Sequence, residues 1–487
     1  MGSAADDEQL HVLFFPLMAP GHLIPSVDIA RILAFRGVKV TILTTPLNAL
    51  HISHIVDRDR RSGIHIQIHQ TRFPSVEAGL PEGCENASSI SDQPDMLPNF
   101  LKALSMLQQP FEEILQELRP DYVVADMFYP WATDVAGKLG IPRLIFHSTS
   151  FFTLCAVDSL TRYKPHANIV SDMEAFVLPG IPDQIEMTRS QLPDDIKDPN
   201  NISELHTCIW KADESCYGTL VNSFFELEQA YAEHYRKVMG RKAWHLGPVC
   251  LSNKNFTEKA QRGNINKANI DANECLCWLD TKKPDSVLFV CFGSMSRFSS
   301  TQLHEIAMGL EDSGHSFIWA VRKTEDDQEP WLPDGFEKRM EGKGLIVRGW
   351  APQVLILEHP AVGGFVTHCG WNSILESVSA GVPMITWPLF AEQFYNEKVV
   401  TMVLKIGVEV GTKTWRVFAG EEKELVKRDA IKEAVTRLMD SGEEAEEMRS
   451  RVRKLKEMAR RAVEKGGSTD ADLTALIEDL RLHKRSV

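Results

Sequence analysis

An apolar run from Val362 to Thr367 ends at His368-Cys369-Gly370-Trp371-Asn372-Ser373, and a new apolar-periodic segment opens with Ile374, Leu375 and Val378. This is the pattern of a buried strand, a tight glycine turn and a helix start. It constrains the fold strongly, because a strand with no polar alternation needs cover on both faces, as in a parallel α/β sheet. The first amides of a helix lack intrahelical partners, and the helix dipole there favours anions. Phosphate suits such a place. His368 adds a donor at the strand end. Upstream, Trp350 ends another strand with a flat face suited to a base, and Gln353 follows it with amide groups for the base's polar edge.

The same strand-then-helix alternation runs along the whole chain. Strands are expected at His11–Pro16, Val38–Thr45, Ile64–His69, Asp121–Asp126, Leu144–His147 and Gly218–Phe224. A second series is expected at Ser286–Phe292, Phe317–Arg322, Gly344–Trp350, Val362–His368 and Val382–Trp387. Such alternation implies doubly wound parallel sheets. A chain of 487 residues is too long for one ordinary core, so two domains are expected. We place the first at residues 1–250, a polar linker at 251–272, the second at 273–465, and a last helix within 466–487. Residues 72–100 read as a long loop that lines an acceptor site, 101–118 and 426–464 as helical, and Leu473–Leu482 as the closing helix.

Composition excludes several classes. The formal charge of −14 argues against a nucleic-acid or anionic-membrane surface. The nine cysteines include no CxxC pair, and Cys275-Leu276-Cys277 lacks zinc spacing, so free thiols in a reducing compartment are expected. The opening MGSAADDEQ does not read as a signal peptide, and no apolar run reaches transmembrane length. A cytoplasmic protein is the expectation, with the sequons at Asn86, Asn201 and Asn255 idle. Asp57-Arg58-Asp59 and Asp470-Ala471-Asp472 have DxD spacing but lie in polar segments, so no metal is expected there. No GxGxxG follows the first strand, which disfavours a nicotinamide-dependent oxidoreductase.

Several residues carry two readings. His22 follows the first strand in Met18-Ala19-Pro20-Gly21-His22, where Gly21 is expected to allow a turn. A lone histidine there is ordinarily a cap or packed side chain. Asp126 ends a later strand and could be a plain cap, yet strand C-termini are where open α/β sheets place ligands. Phe151 and Phe152, after Ser148, could be core or acceptor contacts. Gly293-Ser294-Met295-Ser296 is a turn before a helix and a second phosphate candidate, though such turns are common. Ser373-Ile374-Leu375-Glu376 also fits an ordinary capping box. Trp350 and Trp371 could be core aromatics. Glu392 and Gln393 are either solvated loop polarity or groups for sugar hydroxyls.

The stretch Trp350–Gln393 resembles the donor-binding box of plant secondary-product glycosyltransferases, the nucleotide-sugar-dependent family 1 enzymes. Trp350, Gln353, His368, Gly370, Trp371, Asn372, Ser373, Glu376 and Gln393 fall where that box wants them. Glu392 departs from it, standing where many members have Asp, with the carboxylate kept. The resemblance implies the GT-B arrangement, two Rossmann-like α/β domains facing across a cleft, with the terminal helix returning to the first. It implies that His22 is the catalytic base and that Asp126 orients it. Donor contacts would come from Gly21, Ser148, Ser294, Ser296, Trp350, Ala351, Gln353, His368, Gly370, Trp371, Asn372, Ser373, Glu376, Glu392 and Gln393. Acceptor contacts would come from Phe128, Phe151, Phe152 and Ala391. In this reading Glu376 takes the ribose hydroxyls and Gln393 marks glucose. The implied reaction is an inverting, metal-independent transfer from UDP-glucose, with no cofactor, to a small apolar hydroxylated acceptor, a flavonoid or triterpenoid sapogenin, by a monomer. A non-catalytic UDP-sugar binder, or a transferase using UDP-galactose or UDP-glucuronic acid, is the alternative.

Overall fold

The computed structural model describes residues 9–197, 201–263, 270–322, 331–416 and 424–486. Residues 1–8 and residues 264–269 of the expected linker lie outside them. Two compact units emerge. The first comprises residues 1–151, 199–252 and 461–487, and the second 152–198 and 253–460.

The first unit is built on a parallel sheet of seven strands: β1 (His11–Phe15), β2 (Lys39–Thr44), β3 (Ile66–Gln70), β4 (Tyr122–Asp126), β5 (Arg143–His147), β8 (Gly218–Val221) and β9 (Ala243–His245). Their order is β3-β2-β1-β4-β5-β8-β9. Val12 of β1 pairs with Val40 on one side and Tyr122 on the other. All five residues of β1 are buried, and after His11 the remaining four, Val12–Phe15, are apolar, as a strand covered on both faces requires. The chain order reverses between β1 and β4. Loops leaving these two strands therefore part to opposite faces, and their C-terminal ends border the crevice where such sheets hold ligands.

The closing helix, Ser468–Ser486, belongs to this unit. Its Leu473, Leu476, Ile477 and Leu480 join the core of β1, β2 and β4. Tyr122 donates its hydroxyl to the Leu480 carbonyl at 2.8 Å, and Lys484 pairs with Asp121 at 2.9 Å. Asp470 pairs with Arg36, and Asp472 holds Arg236 at 2.7 Å and the His245 ring at 2.9 Å. The other DxD carboxylates are also committed to cations, Asp57 to Arg60 and Asp59 to Arg31.

The second unit repeats the architecture. Strands β10 (Val287–Cys291), β11 (Ser316–Val321), β12 (Gly344–Arg348), β13 (Val362–Thr367), β14 (Met384–Thr386) and β15 (Gly407–Glu409) form a parallel sheet ordered β12-β11-β10-β13-β14-β15. Its reversal falls between β10 and β13. The antiparallel hairpin β6 (Ala175–Val177) and β7 (Glu186–Thr188) is separate.

Three expectations gain detail. Residues 101–118 are two helices, Leu97–Met106 and Gln108–Leu118. Pro98 suits the first turn of the earlier helix. Pro110 has no amide to donate and its ring crowds the carbonyl four residues back, at Met106, so the helix cannot run through. The 72–100 loop contains the short helix Ser75–Ala78 and two 3₁₀ turns. Within the polar linker, Phe256–Gln261 is helical, capped by the Asn255 side chain on the Glu258 amide at 2.9 Å.

Candidate active site

In the first unit the helix Pro20–Phe35 begins immediately after the β1 loop, with Ala19 as N-cap and Pro20 at its first position. Pro20 is set for that place because its φ is already helical and its missing amide costs nothing there. His22 therefore sits in the first helical turn. Gly21 does not make the turn, contrary to expectation: it is a helical residue, and the chain reverses before it, where Ala19 accepts from His22 and Leu23. From that turn the His22 Nδ1 meets Asp126 Oδ2 at 2.7 Å. Asp126 ends β4 with its carboxylate buried. Its other oxygen accepts the Phe128 amide at 3.1 Å, so the carboxylate is held from both sides. The Ser148 hydroxyl lies 3.1 Å from both ring nitrogens of His22. Phe128 presents its ring edge-on, with centroids 5.7 Å apart.

This geometry fixes the tautomer. Asp126 can only accept, so the proton on His22 sits at Nδ1 and Nε2 carries the lone pair. The imidazole is 19% exposed, so that lone pair can be reached. A histidine so arranged is a base whose conjugate acid is stabilised by a buried carboxylate.

In the second unit the turn after β13 and the turn after β10 meet. The His368 ring lies against the backbones of Gly293 and Gly370. A Cβ on Gly293 would come within 2.6 Å of His368 Cε1, and one on Gly370 within 2.5 Å of Nε2. Burial pulls the His368 pKa down to about 4, so the ring is neutral near pH 7. Its Nδ1 is buried and has no partner among the described residues, and the same holds for the Ser296 hydroxyl on the facing turn. Orphaned buried polar atoms of this kind suit a polar ligand. The helix Trp371–Ala380 has Gly370 as its N-cap. Its first i→i−4 bond runs from Ile374 to Gly370 at 3.1 Å, so the amides before Ile374 have no partner within the helix itself.

That N-cap also disposes of the capping-box reading of Ser373 and Glu376, which lie inside the helix rather than across its start. Glu376 instead meets Gln353, whose Nε2 donates to its Oε2 at 2.6 Å and to the Ser373 hydroxyl at 3.1 Å. Trp350 is half-buried, leaving part of its ring open, whereas Trp371 is 1% exposed and is a core aromatic. Ala351 is buried beside Trp350. The Gly293–Ser296 segment is a turn ahead of a helix, as expected, though not directly against it. The next helix waits until Ser300, capped by Ser299, leaving Ser294 exposed and Ser296 buried on an irregular loop.

The loop Leu389–Gln393 follows β14. Gln393 is buried, and its Oε1 accepts the amides of Leu389 at 2.9 Å and Phe390 at 3.1 Å. Two N–H donors leave no choice of amide orientation, so Nε2 is the group left for other partners. Ala391 is exposed with φ of +51°, and Cys369 in the His368 turn has φ of +66°. Non-glycine residues rarely adopt this conformation, and they concentrate at functional sites. Asn396 serves both segments. Its Nδ2 donates to the Cys369 carbonyl at 2.9 Å and lies 3.3 Å from Glu392, while its Oδ1 accepts from Thr153 at 3.1 Å.

The expected acceptor residues divide. Phe128 is half-buried beside His22. Phe151 and Phe152 have no exposed surface, and the Phe151 ring packs against Tyr235 and His245 at 5.4 and 4.7 Å, so the core alternative holds for this pair. Sequence reasoning missed two contributors. Arg262 reaches from the linker to pair with Glu376 at 3.2 Å, both side chains nearly buried. A lone arginine in a polar segment carries no signal of that kind. Asn396 carried no signal of its own, since Gln393, Glu397 and Lys398 of the same short helix are polar too.

Each unit thus places polar groups at its own switch point, a histidine on a buried carboxylate in the first and a glycine-capped helix start in the second. The family described as UDP-glucoronosyl and UDP-glucosyl transferase matches residues 88–441. The chain is 56% identical over 477 residues to the UDP-glucose flavonoid 3-O-glucosyltransferase 7 of Fragaria ananassa, covering 97% of this chain and 96% of that one. It is 47% identical to the soyasapogenol B glucuronide galactosyltransferase of Glycine max, over 98% and 97% of the two chains. The crystal structure of Glycyrrhiza uralensis UGT73P12 complexed with glycyrrhetinic acid 3-O-monoglucuronide superposes with a TM-score of 0.91. It is 46% identical, with 98% of this chain and 97% of that chain covered. The protein belongs to the UDP-glycosyltransferase family and has its GT-B fold of two Rossmann-like parallel-sheet domains. It is an enzyme, a UDP-glycosyltransferase of the kind that plants direct at small molecules.

Proposed function

We propose that the chain is an inverting O-glucosyltransferase that moves glucose from UDP-glucose to a hydroxyl of a flavonoid or triterpenoid sapogenin. The observation that carries the reading is the His22–Asp126 pair, with Nδ1 held at 2.7 Å. In this account His22 Nε2 takes the proton of the acceptor hydroxyl. The oxygen forms a bond to the anomeric carbon of the sugar, and the bond from that carbon to the diphosphate breaks, its electron pair leaving with UDP. A single displacement inverts the anomeric centre, so an α-linked donor gives a β-glycoside. Asp126 stabilises the imidazolium that results.

In the second unit, Trp350 would stack the uracil and Glu376 would accept the ribose hydroxyls, with Arg262 holding the carboxylate in place. The amides at Trp371–Ser373, His368 and Ser296 would take the diphosphate. Their donors are preorganised and stabilise the charge that grows on the leaving group. A neutral His368 donates one hydrogen bond to phosphate without carrying a charge of its own. Gln393 Nε2 would donate to a sugar hydroxyl. Glucose is favoured by the relative named for UDP-glucose and flavonoids, and the sapogenin class by the relatives named for soyasapogenol and glycyrrhetinic acid.

The test is mass spectrometry of products after incubating the protein with UDP-glucose, UDP-galactose or UDP-glucuronic acid and a mixed panel of flavonoids and sapogenins. The proposal expects hexose-shifted products from UDP-glucose above the other donors. Predominant transfer from UDP-galactose or UDP-glucuronic acid would overturn the donor assignment. Products confined to other acceptor classes would overturn the acceptor assignment.

A further inference from the structure

We propose that the segment Thr412–Arg416 is a strap that sets the sugar-contacting loop, with Trp415 as its positioning residue. This rests on the assignment of Gln393 to the donor sugar. The argument starts at Ala391, an alanine held at φ of +51° immediately before Glu392 and Gln393. A residue with a Cβ keeps that conformation only where its surroundings over-determine it.

The strap supplies those surroundings. Trp415 Nε1 donates to the Ala391 carbonyl at 3.1 Å. The next residue, Arg416, donates its amide to the Leu389 carbonyl at 3.0 Å, so both ends of the turn are held from one dipeptide. Arg416 then reaches the Arg297 carbonyl at 2.9 Å and lies over the Phe298 ring at 5.2 Å, tying the strap to the loop that carries Ser294 and Ser296. The strap is anchored on its far side as well. The Trp415 amide donates to the Ser190 carbonyl at 2.8 Å, and the Ser190 hydroxyl donates to the Lys413 carbonyl at 2.7 Å.

Leu389 has its amide on Gln393 Oε1 and its carbonyl on Arg416. If Ala391 relaxed to a right-handed conformation, the first turn of the Gln393 helix would re-aim, and Nε2 would move off its line. Trp415 thus acts on the sugar through Ala391 without touching it, and a change there should be felt by the hexose and not by the nucleotide.

The experiment compares steady-state kinetics of wild type, Trp415→Phe, Ala391→Val and Gln393→Ala on UDP-glucose and UDP-galactose, with UDP affinity and melting temperature measured for each. Phenylalanine keeps most of the ring and removes the N–H. Loss of one such bond should lower kcat/KM for UDP-glucose roughly fivefold and narrow the preference between the two sugars. UDP affinity should stay within about twofold, since no nucleotide contact changes. Ala391→Val, which burdens the left-handed position directly, should reproduce the effect with Trp415 intact. Adding Ala391→Gly to Trp415→Phe should restore part of the rate, because glycine reaches that conformation without a steric penalty. Wild-type kcat/KM and sugar preference in both Trp415→Phe and Ala391→Val would overturn the proposal, as would a parallel fall of UDP affinity and rate. If Gln393→Ala itself leaves kcat/KM unchanged, the underlying sugar assignment fails. If it lowers kcat/KM while Trp415→Phe does not, the strap alone fails.

Discussion

Gln393 can offer a ligand only its Nε2 hydrogens, because two backbone amides claim its Oε1. The sequence carried the residue type and its neighbourhood, since Gln393 follows Trp387-Pro388 in a loop. It did not carry the orientation, which depends on the turn that brings the Leu389 and Phe390 amides round to the side chain. Glu376 is a similar case: its spacing from Ser373 fits a cap, and only the true helix start at Trp371 removes that option. His22 was legible as a residue, yet its place in a helical turn rather than a glycine loop follows from Pro20. At this scale the account makes a selectivity prediction. Replacing a locked amide donor by an imidazole changes which sugar hydroxyl finds a partner, at about 1–3 kcal/mol per unmatched group. Gln393→His should therefore shift the ratio of glucose to galactose transfer in a competition assay. An unchanged ratio would remove Gln393 from the sugar.

The two glycines around His368 belong to the scale of elements, because they decide how closely the turn after β10 can approach the turn after β13. A methyl at Gly370 would meet His368 Nε2 at 2.5 Å, well inside contact distance, with the ring as the movable partner. Gly370→Ala should push the imidazole off the helix end and weaken UDP binding by about tenfold, with the melting temperature within a few degrees of wild type. Isothermal titration with UDP checks this, and full affinity in the variant would show that the ring does not face the phosphate. Most strands were legible because each is an apolar run bounded by glycine, proline or polar turns. The short strands β9 and β15 were not, since, unlike the equally short β14, neither lies in a longer apolar run. The hairpin β6–β7 was hidden by Pro179-Gly180-Ile181-Pro182, which reads as irregular structure and is in fact its connection. The strap at Thr412–Arg416 has no periodicity at all, and its role depends on what it touches.

Taken whole, the molecule uses one topological device twice, a reversal of strand order at β1/β4 and again at β10/β13, and the proposed function assigns the two reversals different chemistry. The alternation of strand and helix made this architecture legible, while the division of chain between units was less so, since residues 152–198 group with the second. Stability also has a global signature. Glu397 is buried in the second unit, its Oε2 2.7 Å from the Thr386 hydroxyl, and desolvation followed by repulsion from Glu409 raises its pKa to about 8. The folded chain then keeps a proton that the unfolded chain releases near 4.5, so stability is lost as pH rises from about 4.5 through 8. His11 and His368, both lowered to about 4 mainly by burial, act at the other end. The unfolded chain takes up protons there first, and stability falls as pH drops from about 6.5 toward 4. Glu397→Gln should flatten the alkaline side of the melting-temperature profile and leave the acid side alone. An equally steep alkaline loss in the variant would place its origin elsewhere. The central claim is that proton transfer belongs to the first unit and donor binding to the second. Measuring kcat and UDP affinity together for His22→Ala, Asp126→Asn and the double variant tests it most directly. The account predicts a loss of about 10²–10⁴-fold in kcat for His22→Ala, UDP affinity within about twofold of wild type, and a double variant little worse than His22→Ala alone. Near wild-type turnover in His22→Ala, losses that multiply, or UDP affinity that falls with the rate would contradict it.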